Sequence, residues 1–206
     1  MSRRIAGLGD DELDRIVELV GRQNDSVVQR DLLRGIHESM KGKRQVKMPD
    51  NWNPVYPKLV ESSRTEVHET ALNLAVIFGD ERALRSLQTT IVDGSASVPK
   101  RQTALRTLLA NQPPTLPATL HGLLDDSAMR PSAIQALAAY ADPKTPSLIL
   151  QRYAKLTADE KSDAVHTLAS RPAYALALLD AVADKTVTRT DLNAFTVRQL
   201  LALNDK

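Results

Sequence analysis

His68-Glu-Thr-Ala-Leu-Asn73, Arg101-Gln-Thr-Ala-Leu-Arg106, Arg130-Pro-Ser-Ala-Ile-Gln135 and Lys161-Ser-Asp-Ala-Val-His166 share one pattern, an alanine followed by an aliphatic residue. The alanines stand at 71, 104, 133 and 164, so consecutive copies lie 33, 29 and 31 residues apart. Four and five positions after each alanine comes a second apolar pair: Ala75-Val76, Leu108-Leu109, Leu137-Ala138 and Leu168-Ala169. Residues at i, i+1, i+4 and i+5 form one broad stripe on an α-helix, and Asn73, Arg106, Gln135 and His166 fall outside it. The small alanine in every copy lets a neighbouring helix approach closely.

A second helical pattern follows each copy, carrying Leu84, Leu87 and Ile91, then Leu116, Leu120, Leu123 and Leu124, then Leu148, Ile149 and Tyr153, then Leu176, Leu179 and Val182. One helix pair cannot bury both of its faces. A pair recurring every ~30 residues therefore predicts an all-α, HEAT-like α-solenoid of stacked antiparallel helix pairs, about 11–12 helices in all. Helices are expected at about 64–78, 81–93, 99–111, 114–125, 129–141, 145–156, 158–170, 172–184 and 190–203. Pro99, Pro114, Pro131, Pro143 and Pro172 fall near their starts, where a missing amide donor costs little. Gly79 and Asp93-Gly94 mark helix ends or turns.

Upstream, two charged amphipathic helices are expected at about 10–20 and 26–41. Leu13, Ile16, Val17 and Val20 make the first stripe; Val28, Leu32, Leu33, Ile36 and Met40 make the second. Asp10, and Asp25 or Ser26, are the candidate caps. Between residues 42 and 57 the periodicity stops, and Pro49, Pro54 and Pro57 argue against a continuous helix. The expected organisation is residues 1–62 as N-terminal helices with a long basic loop (42–57) packed on or capping the array, and 63–206 as helical repeats and a C-terminal helix. The whole reads as one continuous unit.

Composition agrees. The 206 residues include 29 Leu and 25 Ala but only one Trp, four Tyr and two Phe, which suits closely packed helices better than strands. The net charge of +2 does not mark the whole chain as a polyanion binder. The absence of cysteine excludes disulfides, thiolate metal sites, a cysteine nucleophile and covalent haem attachment within these residues. No stretch approaches the ~18 apolar residues of a membrane span, so the chain is expected to be soluble.

The catalytic motifs fail on inspection. His68-Glu69 opens like a zinc-protease helix, but Leu72 stands where the second His is required. Gly42-Lys43 resembles the end of a phosphate loop, yet Gly35 is too distant and Arg44 replaces the Ser or Thr. Asp10-Asp11, Asp125-Asp126 and Asp159-Glu160 read as helix caps or solvated faces, since adjacency in sequence does not aim two carboxylates at one atom. His68 and His166 are expected on the solvated surface, and His37 and His121 in structural or surface roles. A candidate interaction surface remains: Lys41, Lys43, Arg44 and Lys47, followed by Trp52 and Tyr56. These bases could meet phosphates or an acidic protein face, and the aromatics could stack on a base or anchor a partner. The other reading is a solvated helix end whose loop tucks Trp52 and Tyr56 against the first helices.

Residues 33–52, Ile77-Phe-Gly-Asp-Glu-Arg-Ala-Leu84, Ser170-Arg-Pro-Ala-Tyr-Ala-Leu-Ala-Leu-Leu179 and Asp191-Leu-Asn-Ala-Phe-Thr-Val-Arg-Gln-Leu200 resemble the HEAT-like region of planctomycete-type membrane-bound dehydrogenases. The resemblance implies helical repeats joining a sugar-dehydrogenase-like β-propeller to a c-type haem domain, in an extracytoplasmic setting. It further implies that any haem belongs to a neighbouring domain and that this chain carries no cofactor of its own. Its partners would be protein domains, adjacent ones in the same polypeptide included. The expected function is a non-catalytic interaction scaffold or spacer. The alternative is a nucleic-acid-binding module of the DNA-glycosylase-like HEAT type using the basic segment near Trp52, which the modest net charge disfavours.

Overall fold

A computed structural model describes residues 9–41 and 46–203, and the regular elements among these residues are all helical, without strands. The helices are α1 (Asp10–Arg22), α2 (Ser26–Ser39), α3 (Trp52–Val60), α4 (Thr65–Ile77), α5 (Glu81–Val92), α6 (Val98–Asn111), α7 (Leu116–Leu123), α8 (Arg130–Leu137), α9 (Thr145–Leu150), α10 (Ala158–Leu168), α11 (Pro172–Ala183) and α12 (Ala194–Ala202). Two 3-10 turns, Tyr153–Lys155 and Arg189–Asp191, complete the described elements. The all-α class expected from the repeat is observed. The chain forms two compact units, one of residues 1–89 and 104–111, the other of 90–103 and 112–206.

In the first unit α1 packs on α2 and α3, and α4 packs on α2 and α3, so each helix touches both its chain neighbour and its second neighbour. The core takes Leu13, Val17 and Val20 from α1, Leu33 and Ile36 from α2, and Val67, Ala71, Leu74 and Ala75 from α4. The first unit continues through α4, whose buried residues share this core. Val28 does not follow the expected stripe and stays exposed at the start of α2.

The expected loop at 42–57 is corrected by α3, which holds Pro54 in its first turn and Pro57 inside. An interior proline costs about 3 kcal/mol. Against it, Trp52, Val55, Tyr56 and Leu59 recur at i, i+3, i+4 and i+7 and are all buried, and each such side chain contributes roughly 1.5–3 kcal/mol. Burial wins. Ahead of α3, the Val46 amide donates to the Ile77 carbonyl (3.2 Å), and Val46 and Met48 pack on the core. Asn51 is tied to α1 by its amide on Asp14 Oδ1 (3.3 Å) and its side chain on the Asp14 carbonyl (3.4 Å).

In the second unit α8 packs on α7 and on its second neighbour α10, while α11 packs on α10 and on its second neighbour α9. The single helix expected at 145–156 is two pieces. After α9 the bonds tighten to i→i+3, from Arg152 to Ile149 and from Lys155 to Arg152, and Tyr153 turns fully inside. The helix expected from 190 is likewise a 3-10 turn followed by α12. All four repeat alanines, Ala71, Ala104, Ala133 and Ala164, are buried.

Turn chemistry recurs between the helices. Asp25, Asp80, Asp93, Asp126, Asp142 and Asp184 each accept, through Oδ1, the backbone N–H two residues on. These Asx turns satisfy donors that a helix start leaves open. Thr157 and Glu160 close a reciprocal capping box on α10. Gly79 ends α4 at φ +69, a left-handed conformation that favours glycine.

One close approach is invisible in the repeat. A Cβ built on Gly21 of α1 lies 2.4 Å from Cγ2 of Val55 on α3, and a β-branched valine has little χ1 freedom to yield. Gly21→Ala is therefore expected to destabilise the fold by about 1–3 kcal/mol despite the better helix propensity of alanine. Urea unfolding read by the fluorescence of Trp52 measures it, and the Gly21→Ala/Val55→Ala pair should cost less than the two single changes summed.

Candidate functional site

Of the six residues of the expected interaction surface, Lys41, Lys47, Trp52 and Tyr56 are described. Lys41 lies just past α2, exposed, with its Nζ 2.6 Å from Glu38. Lys43 and Arg44 lie outside the described residues. Lys47 is exposed between Val46 and Met48, which face inward. Trp52 and Tyr56 are 0% and 6% exposed, which removes them as surface stacking platforms or partner anchors. Their face of α3 packs against α1 and α4, so the reading that tucks them against neighbouring helices describes them.

The chemistry instead gathers around Asp80, a buried carboxylate between α4 and α5. Its Oδ1 accepts from the Arg82 amide (2.9 Å) and Arg82 Nε (3.0 Å); its Oδ2 accepts from Trp52 Nε1 (3.1 Å) and a terminal Arg82 nitrogen (2.7 Å). Burial pushes this carboxyl upward, but the donors from Arg82 and Trp52 outweigh it and hold it below the ordinary carboxylate range. An ionised carboxylate has about four acceptor positions, and here four donors fill them. The Arg82 guanidinium also reaches Asn53 Oδ1 (3.1 Å) and lies 5.1 Å from the Tyr56 ring centre. Phe78 meets Trp52 edge-on at 5.0 Å. Burial, with the Asp80 charge beside it, pushes the Tyr56 hydroxyl up to about 12 and keeps it protonated. The arrangement locks α3 to the α4–α5 turn.

A second polar device lies three residues before each repeat alanine, where His68, Arg101, Arg130 and Lys161 stand. His68 Nδ1–H donates to the Val60 carbonyl at the end of α3 (2.6 Å). Arg101 Nε donates to the Ile91 carbonyl near the end of α5, and Arg130 Nε to the Leu124 carbonyl just past α7, each at 2.7 Å. Lys161 Nζ lies 5.4 Å from the ring centre of Tyr153 in the preceding 3-10 turn. Three copies thus place a donor on carbonyls that a helix C-terminus leaves unpaired, and the fourth places its cation over an aromatic face. Arg101 and Arg130 also form ion pairs with Asp126 and Glu160. The recurrence of a base at this position is legible in the quoted segments; its role depends on where the previous helix ends.

This corrects the expected solvation of His68, which is half-buried and bonded, whereas His166 is exposed and stacks on Phe195 at 5.6 Å. His121 Nε2 lies 2.9 Å from the buried Thr145 hydroxyl at the start of α9. Burial lowers its pKa; Asp142 opposes that shift, while Lys144 and Arg152 reinforce it. Among the described residues no helix is long and apolar enough to cross a membrane.

Comparison with family models, with curated proteins and with solved structures finds no match.

Two outcomes follow. Asp80→Asn removes the anionic acceptor from Arg82 and is expected to destabilise the first unit by about 1.5–3 kcal/mol, with a red shift of Trp52 emission before global unfolding. For His121, protons bind more readily to the unfolded chain, near pH 6.5, than to the folded one. Stability is therefore full above that pH and falls as the pH drops through 6.5 toward the lowered folded value. His121→Gln should lose less of its thermal midpoint than the unaltered chain between pH 7.5 and 5.5.

Proposed function

We propose that this chain is a non-catalytic HEAT-like repeat module that acts as an interaction scaffold and spacer, holding a dehydrogenase domain and a haem domain of one polypeptide at a set separation. The observation that carries the reading is second-neighbour packing with polar bridges spaced about one repeat apart. Gln102 reaches Ser132, Gln135 reaches Asp163, Arg130 pairs with Glu160, and the Thr167 hydroxyl donates to the Ile134 carbonyl. Just past α9, Arg152 holds Asp125, just past α7, through two bonds of 2.8 and 2.7 Å. Such links fix the stagger of successive layers more tightly than apolar contact alone, which is what a spacer of defined length requires.

The polar clusters support the same reading. Asp80 is saturated by its own neighbours, and the repeat bases are turned onto helix ends. The mechanism is geometric, with electron flow between attached modules set by a separation that a flexible tether would not hold.

The test replaces residues 10–203 by a Gly/Ser linker of equal reach within a polypeptide that carries both flanking modules. Sugar oxidation with a soluble acceptor is expected to be unchanged, while transfer to the haem slows about tenfold. Unchanged transfer to the haem would overturn the spacer role. Appreciable sugar oxidation by the isolated chain would overturn the non-catalytic reading.

A further inference from the structure

The sequence contains a single Asp-Gly step, Asp93-Gly94, and no Asn-Gly. It lies in the connection between α5 and α6, where Val92, Asp93, Gly94 and Ser95 are all exposed. Asp25, Asp80, Asp126, Asp142 and Asp184 close turns by the same bond to the amide two residues on. What separates Asp93 from them is the residue that follows. Asp142 precedes Pro143, which has no amide N–H, and the others precede Ser26, Glu81, Ser127 and Lys185, whose side chains crowd the peptide nitrogen. Gly94 has no side chain, and a Cβ built on it meets nothing within 4 Å, so the space beside it is open.

An aspartate beside an unhindered amide reacts with its own backbone. The Gly94 nitrogen attacks Cγ of Asp93, the carboxyl hydroxyl leaves with the amide proton as water, and a cyclic imide forms. Water then opens the imide. Attack at Cγ restores aspartate; attack at the α-carbonyl leaves isoaspartate, in which the main chain runs through Cβ and the old α-carbonyl is a free carboxylate. The atoms balance with water alone.

The first step needs a neutral carboxyl, so that water can leave, and a carboxyl free to turn its carbon toward the Gly94 nitrogen. Ser95 opposes both. Its amide donates to Asp93 Oδ1 at 2.9 Å and its hydroxyl donates to the same oxygen at 2.6 Å. Two donors on one oxygen fix the direction of the carboxyl and favour its anion. The Ser95 hydroxyl and amide, helped by the Ala96 amide and the Lys100 charge and opposed by burial, hold this carboxyl below the ordinary carboxylate range.

We propose that Asp93-Gly94 is a site of isoaspartate formation in this protein and that Ser95 is the positioning residue that restrains it. Isomerisation lengthens the turn by one main-chain carbon. It also converts the Asp93 carbonyl, which accepts the Ala96 amide at 3.1 Å, into a free carboxylate, so the entry to α6 is remade.

The test incubates the full chain for weeks near neutral pH and follows residue 93 by peptide mapping, where isoaspartate blocks an aspartate-specific protease without changing the mass. Ser95→Ala keeps the amide and loses the hydroxyl; it should isomerise about fivefold faster than the unaltered chain, the factor set by one lost hydrogen bond. Ser95→Thr restores the hydroxyl and should restore the slow rate. In denaturing urea all three should react at one common rate. Gly94→Ala, which the open space and the absence of a left-handed φ at this residue allow, should suppress the reaction in every background. Equal rates for the folded Ser95→Ala and unaltered chains overturn the restraint, as does a difference that persists in urea or a threonine that rescues nothing. A Ser95→Ala chain that is folded by circular dichroism and forms no isoaspartate at residue 93 overturns the site itself.

Discussion

The structure depends on how closely two helices can approach, and the small side chains of the repeat alanines at 71, 104, 133 and 164 are all buried. Interhelical distance follows the size of the side chains at the contact. A methyl group there lets the backbone of a second-neighbour helix come near enough for side-chain-to-backbone bonds such as Thr167 to the Ile134 carbonyl. Gly21 goes one step further, leaving space that the Val55 methyl fills. Close approach brings polar backbone within reach, and polar reach then fixes the register of one helix on the next.

Polar groups drawn into such packing need partners, and this chain supplies them locally. Aspartates close the connections by accepting the amide two residues on, bases cover carbonyls at the ends of preceding helices, and Asp80 takes its donors from Arg82 and Trp52. Each device is short in sequence and acts across a helix–helix junction. The chemistry of the described polar clusters is thereby directed inward, to holding helices together, while five of the nine exposed large apolar side chains among the described residues lie on α11 and α12.

Much of the fold was legible because helix periodicity and capping are local properties. Asp25 caps α2, Gly79 ends α4, and Glu160 completes the box that begins α10. Where the reading failed, a nonlocal gain overrode a local penalty. Pro54 and Pro57 concealed α3, although Trp52, Val55, Tyr56 and Leu59 already carried the spacing of a buried helical face. Trp52 and Tyr56 turned inward for the same reason: an aromatic pair beside bases looks the same in sequence whether it faces water or α4. His68 was placed by its position among polar repeat residues, with no knowledge that Val60 ends α3 beside it.

By itself the sequence determined that this protein is helical, and that four alanines and four bases hold equivalent positions in a recurring pattern. These follow from i to i+4 geometry, which a single chain segment contains. Only the tertiary structure decided that Trp52 is a core residue bonded to Asp80, that the bases turn back onto helix ends, and that α11 is covered on one side alone. Those outcomes depend on which segments meet across tens of residues, and burial, unlike periodicity, is a property of the partner as much as of the residue.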